Sequence, residues 1–116
     1  MSFNIKTYNA IAEEGIVALT GKKCNVSADM ARPEGILLRS ADLHGIEFNP
    51  ELLCIARAGA GYNNIPVDQC TDRGIVVFNA PGANANGVKE YEICALVLAS
   101  RDVLGAIDYV KYISDR

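Results

Sequence analysis

Leu52-Leu-Cys-Ile-Ala-Arg57-Ala-Gly-Ala-Gly61-Tyr-Asn-Asn-Ile65, running on to Ile75-Val-Val-Phe-Asn-Ala-Pro81, decides the fold. An apolar run ends abruptly in Arg57 and then in a glycine turn. A helix-like segment follows, and a second apolar run again ends in turn residues. A strand that opens into arginine and a glycine turn exposes backbone N–H groups beside one fixed cation. That combination suits a small anion, a carboxylate or a phosphate.

The same logic holds one step upstream. Gly35-Ile-Leu-Leu-Arg39 follows a Pro-Glu turn and delivers Arg39-Ser40 at its end, as expected of a strand covered on both faces. Between the two quoted runs, Pro66 to Arg73 reads as a short helix, with proline in its first turn and Gly74 just past its end. Phe3–Tyr8 and Lys23–Ser27 read as two more strands, separated by a helical segment over Ala10–Leu19. Gly15 is expected to weaken that helix or end it early. Apolar strands alternating with short helices predict an α/β fold with a mostly parallel sheet. In it Gly35–Arg39, Leu52–Ala56 and Ile75–Phe78 should be buried neighbours.

Beyond Pro81 the pattern changes. Gly82-Ala-Asn-Ala-Asn-Gly87 is a polar loop suited to supply an asparagine cap. From Val88 to Lys111 the spacing predicts one long helix. Val88, Tyr91, Cys94, Ala95 and Leu98 share a face, and Val103, Ile107 and Val110 continue the stripe. Ile93–Ala99 is apolar all round and needs more cover than 116 residues readily provide. The chain is therefore expected to be the first part of a longer protein.

Half of the residues are apolar and 22% are charged, which fits an ordinary soluble domain with one core. The net charge of −3 argues against nucleic acid or an anionic membrane as partner, so an anion site must be local. No basic segment precedes an apolar one at the N-terminus. No apolar run approaches the roughly 18 residues of a membrane span. Cys24, Cys54, Cys70 and Cys94 contain no CxxC pair. They read as reduced, mostly buried thiols of a cytoplasmic protein, with neither a disulfide framework nor a metal site expected.

Arg57-Ala-Gly-Ala-Gly-Tyr-Asn-Asn-Ile65, then Thr71-Asp-Arg-Gly-Ile-Val-Val-Phe-Asn-Ala-Pro81, then Val88-Lys-Glu90 before a helix, form an ordered series. It resembles the substrate-binding domain of the D-isomer-specific 2-hydroxyacid dehydrogenases. The likeness is dense from Gly35 to Arg101 and is one of pattern before that. Within the family it most resembles the members that oxidise 3-phospho-D-glycerate to 3-phosphooxypyruvate at the start of serine biosynthesis. The resemblance implies a flavodoxin-like open sheet over residues 1–100 and a long helix over 88–116 leading to a Rossmann domain that binds NAD. It also implies a small phosphorylated 2-hydroxy acid as substrate and a homo-oligomer when full length. No GxGxxG follows a strand here. The family's catalytic histidine, its partner glutamate and a further substrate arginine are expected past residue 116. No catalytic residue is therefore assigned, the chain alone is expected to be inactive, and His44 reads as an ordinary loop residue.

Carried over residue by residue, the resemblance places Arg39 and Ser40 near the substrate phosphate, with Arg57 one strand over. An arginine fork holds two phosphate oxygens, and neighbouring strands lie about 4.8 Å apart, so two arginines at adjacent strand ends can converge on one anion. Ala58, Gly59, Ala60 and Gly61 form the turn whose N–H groups would meet the substrate carboxylate. Ala60 also matches a position facing the nicotinamide end of NAD. Plainer roles stand beside these: a surface pairing of Arg39 with Asp42 or Glu34, a structural ion pair for Arg57, and a simple tight turn at the glycines. Tyr62-Asn63 departs from the Val-Asp of many relatives, and Lys89 replaces a small residue before Glu90. Glu90 by default meets the helix dipole. Two other functions remain open, a non-catalytic flavodoxin-like module that binds a small anion and a corepressor relative of the dehydrogenases. The strand ends Tyr8-Asn9, Arg39-Ser40 and Arg57-Ala58 lack the acids that a phosphorylated receiver domain needs.

Overall fold

Strands β1 (Phe3–Tyr8), β2 (Cys24–Ser27), β3 (Gly35–Leu38), β4 (Cys54–Arg57) and β5 (Val76–Phe78) make one sheet in the computed structural model, which describes residues 2–115. The order is β2-β1-β3-β4-β5 and every pairing is parallel. Parallel neighbours require crossovers. Helix α1 (Glu13–Thr20) lies between β1 and β2, and α2 (Val67–Asp72) between β4 and β5. The expected α/β, flavodoxin-like open sheet is thus the observed one. Met1 and Arg116, at the ends of the expected domain and helix, lie outside the described residues. Two compact units are present, Met1–Pro81 and Gly82–Arg116.

Register explains where the core sits. Ile36 pairs with Ile55 and Ile55 with Val77, so these side chains share one face of the sheet. Leu38, two residues beyond Ile36, joins them. Leu43, Phe48, Leu52, Ile65, Cys70 and Ile75 close over that face. Leu38, Leu43, Ile55 and Cys70 are fully buried. Removing a leucine or isoleucine side chain from water contributes about 1.5–3 kcal/mol, so this cluster anchors the unit.

Several boundaries differ from expectation. Helix α1 starts at Glu13 rather than Ala10 and carries Gly15 inside its first turn instead of ending there. Strand β4 is shifted to Cys54–Arg57, because Leu52 is a core residue just before it and Leu53 is exposed. Strand β5 is not a buried strand. Val76 and Phe78 are 52% and 56% exposed, while Val77 between them packs on the core. An edge strand covered on one face alternates in this way.

The single long helix is also corrected. Gly82–Arg116 contains α3 (Ala85–Arg101) and α4 (Val103–Ser114), separated at Asp102, whose φ of 44° and ψ of 45° are left-handed. A left-handed residue breaks the backbone ladder, and the Asp102 carboxylate then accepts the Gly105 N–H at 3.3 Å and caps α4. Asn84 occupies the N-cap position of α3 without a side-chain hydrogen bond. Neither helix has a buried residue; Leu96 is 71% exposed. None of the described helices is long and apolar enough to cross a membrane.

Candidate functional site

Tyr8, Leu38 and Arg57 occupy one row across the sheet, since Tyr8 pairs with Leu38 and Leu38 with Arg57. The residues that follow them, Asn9, Arg39 and Ala58, therefore emerge together at the carboxyl edge of adjacent strands. Ligand crevices of open α/β sheets lie at that edge.

Arg57 is turned toward the backbone. Its Nε donates to the Arg39 carbonyl at 2.8 Å, and Nη1 donates to the Gly61 carbonyl in a very short contact. The side chain ties the end of β3 to the glycine turn, and it forms no ion pair with a carboxylate among the described residues. Nη2 has no partner among the described residues. Gly59 and Gly61 permit this packing. A Cβ on either would stand 3.3 Å or 3.0 Å from Nη1 of Arg57.

Arg39 is exposed, and its guanidinium has no partner among the described residues. The plainer pairings are not formed. Glu34 accepts the Asn4 N–H at 2.9 Å, and Asp42 is occupied by His44. Ser40 is exposed as well, and its hydroxyl makes no hydrogen bond within the described residues. One cation and one hydroxyl thus stand free at the site.

The glycine turn offers less than three donors. The Gly59 N–H donates to the Arg57 carbonyl at 2.9 Å, and the Ala58 N–H to the Leu38 carbonyl at 2.8 Å. Only Ala60 and Gly61 retain N–H groups with no partner among the described residues. The Gly59 N–H, expected to meet an anion, is turned back onto the Arg57 carbonyl in this structure.

Three asparagines that the motifs did not single out hold these loops. Asn9 Oδ1 accepts from the N–H groups of Ser40 and Ala41 at 2.9 Å and 2.7 Å. Asn64 Nδ2 donates to the Ala41 carbonyl at 2.7 Å, and Asn79 Nδ2 to the Ala60 carbonyl at 2.7 Å. Two of them, Asn9 and Asn79, directly follow strands, and that placement was the available signal.

His44 lies in an exposed loop. Its Nδ1 is 2.6 Å from Asp42 Oδ1, which also accepts the His44 backbone N–H at 2.9 Å. That backbone hydrogen bond, followed by the one from the ring, pulls the Asp42 carboxyl below its usual range. His44 also borders a shallow groove of about 470 Å³ with Tyr62, Asn63 and the first residues of α2. The cysteines are not mostly buried as expected: Cys70 is buried, Cys24 and Cys54 are partly so, and Cys94 is exposed on α3. Burial raises the Cys54 and Cys70 thiols, which disfavours their reactive thiolate forms. Among the described residues no cluster of His, Cys, Asp or Glu is arranged to hold a metal ion.

The fold and the motifs point to one family, and comparison with known proteins agrees. The chain belongs to the D-isomer specific 2-hydroxyacid dehydrogenases, whose catalytic-domain model matches residues 30–95. It is 37% identical over 82 residues to D-3-phosphoglycerate dehydrogenase of Mycobacterium leprae, a match covering 68% of this chain and 16% of that protein. With D-3-phosphoglycerate dehydrogenase of Archaeoglobus fulgidus the identity is 35% over 115 residues, covering 87% of this chain and 22% of the relative. In structure it resembles NAD+-bound 3-phosphoglycerate dehydrogenase of Entamoeba histolytica, with a TM-score of 0.71 and 27% identity over 84% of this chain and 39% of the other. The chain thus spans 16–22% of the length of these two curated relatives.

The family consists of NAD-dependent oxidoreductases acting on CH–OH groups. The residues present do not fit a dinucleotide cradle. Tyr62–Ile65 separate the glycine turn from α2, a six-residue helix with Pro66 at its N-cap, so no helix N-terminus opens directly onto the turn.

Proposed function

We propose that this chain is the substrate-binding part of an NAD-dependent D-2-hydroxyacid dehydrogenase that oxidises 3-phospho-D-glycerate to 3-phosphooxypyruvate. The observation that carries this reading is an uncommitted arginine, Arg39, at one strand end, beside a turn whose Ala60 and Gly61 N–H groups are unspent. Arg39 takes the phosphate through its fork, with the Ser40 hydroxyl as a further donor. Ala60 and Gly61 donate to the carboxylate. Arg57 braces both loops and has Nη2 left for the bound anion. Hydride acceptance and proton removal fall to groups outside residues 2–115, with Ala60 facing the nicotinamide end of NAD, so the chain alone turns over no substrate. The proposal includes a cytoplasmic full-length enzyme that assembles from like chains, supported by the exposed apolar side chains of α3 and α4.

Titration of the isotopically labelled chain with 3-phosphoglycerate and with D-glycerate tests this by NMR. The phosphorylated ligand should shift the amides of Arg39, Ser40, Ala60 and Gly61. It should also bind about one to two decades more tightly, the worth of one charge-assisted contact of roughly 1.5–3 kcal/mol. Arg39→Gln should abolish that difference. Equal affinity for the two ligands in the unmodified chain would sink the substrate assignment.

A further inference from the structure

Asn9 leaves β1 with φ of 67°, a left-handed conformation that asparagine, aspartate and glycine adopt at low cost. From there its Oδ1 reaches the next strand's end. It accepts the Ala41 N–H at 2.7 Å, the Ser40 N–H at 2.9 Å and, more weakly, the Arg39 N–H at 3.4 Å. Consecutive amides converging on one oxygen form the kind of concavity that binds anions. Here it is filled from within the chain.

Two of these residues, Arg39 and Ala41, are also held through their carbonyls. Asn64 Nδ2 donates to the Ala41 carbonyl at 2.7 Å and reaches the Arg39 carbonyl at 3.5 Å. Arg57 Nε holds that Arg39 carbonyl at 2.8 Å. All three N–H groups of Arg39–Ala41 and the carbonyls of Arg39 and Ala41 are therefore committed, which leaves the side chains of Arg39 and Ser40 as the donors for an anion.

We propose that Asn9 is a positioning residue for phosphate recognition. By filling the concavity and fixing the backbone of Arg39, it directs the guanidinium into the site and so sets the preference for a phosphorylated hydroxy acid. The inference rests on the reading of Arg39 as the phosphate contact. Its chemistry is specific. Position 9 needs an acceptor on a left-handed backbone, which asparagine supplies and glycine does not.

Asn9→Gly separates the two requirements, because glycine takes φ of 67° freely and loses only the amide. We would titrate the unmodified chain, Asn9→Gly, Arg39→Gln and the double variant with 3-phosphoglycerate and with D-glycerate by NMR. The expected result is a fall of about three- to tenfold in affinity for 3-phosphoglycerate on Asn9→Gly, with D-glycerate unchanged. Adding Asn9→Gly to Arg39→Gln should cost nothing further, since coupled residues are not additive. Equal losses for both ligands, tighter binding of 3-phosphoglycerate, or full additivity would overturn the positioning role. If Asn9→Gly does not fold, Asn9→Asp decides, because it keeps the acceptor and the backbone but places a negative charge against the Arg39–Ala41 amides. A selective loss of 3-phosphoglycerate affinity in folded Asn9→Asp supports the proposal, and an unchanged affinity for 3-phosphoglycerate or an equal loss for both ligands overturns it. If the unmodified chain shows no preference between the ligands, the functional reading fails and the inference fails with it, a result distinct from failure in the variants alone.

Discussion

Arg57 Nε and the Arg39 carbonyl oxygen are 2.8 Å apart, so the side chain of one arginine supports the backbone that carries the other. The two cations of the site have unequal duties. Arg57 spends Nε and Nη1 on carbonyl oxygens, whereas the whole Arg39 fork stands free among the described residues. Arg57 should therefore affect both stability and ligand binding, and Arg39 binding alone.

Arg57→Ala should lower the unfolding free energy by about 1–2 kcal/mol, from the loss of two hydrogen bonds with a charged donor at a half-exposed position. Arg39→Gln should stay within about 0.5 kcal/mol of the unmodified chain. Urea titration of both variants measures this. In the dehydrogenase proposed above, Arg57→Ala should chiefly raise KM for the phosphorylated substrate and lower kcat/KM by about one to two decades. Arg57→Lys should recover only part, because a point charge cannot span both carbonyls. A destabilisation by Arg39→Gln as large as that by Arg57→Ala would contradict the division of labour.

Acid should weaken the Asp42–His44 loop in a defined direction. The folded-state pKa of Asp42 is depressed, first by the His44 backbone N–H and then by its ring. A depressed carboxyl contributes stability that is fully present above its unfolded pKa, about 4, and is lost as pH falls through the lower folded value. Glu51 behaves alike, depressed first by the Asn49 side chain. Urea midpoints of the unmodified chain and of Asp42→Asn should differ near pH 6 and converge once the pH has fallen below the folded-state value of Asp42. A gap that persists unchanged into strong acid would rule out Asp42 as a contributor.

Asp102→Ala should join α3 and α4. Alanine resists the left-handed conformation that Asp102 holds and has the highest helix propensity. The Cα chemical shift of residue 102 should move to helical values, while Asp102→Gly should leave the break in place. A left-handed shift retained in the alanine variant would mean that the break is imposed by other residues.

What the sequence displayed depended on the range of the forces involved. Gly35-Ile-Leu-Leu38 was legible as a strand because its burial is written in consecutive apolar residues, and its arginine terminus is where the candidate site was sought. The start of β4 was misplaced by two residues. Leu52 and Leu53 are equally apolar, yet one is a core residue and the other is exposed. The helix break was hidden because the apolar stripe continues across Asp102, and one left-handed residue leaves no mark on periodicity. Asn9, Asn64 and Asn79 were missed for another reason. Each finds its backbone partner on a segment distant in sequence, and only the register of the sheet brings them together.

The open margin at β5 bears on how this protein meets other sheets. Unpaired strand edges invite addition of a foreign strand. Here the edge strand is three residues long, Val76–Phe78, a ladder of roughly 10 Å at the usual rise per residue. Asn79 and Ala80 are drawn back toward the glycine turn through the Ala60 and Gly59 carbonyls at 2.7 Å and 2.9 Å, and Pro81 has no N–H with which to prolong the row. The exposed apolar side chains of β5 are thus coupled to a backbone that offers an incoming strand only a short ladder, one of the ways an edge without charged residues limits edge-to-edge addition.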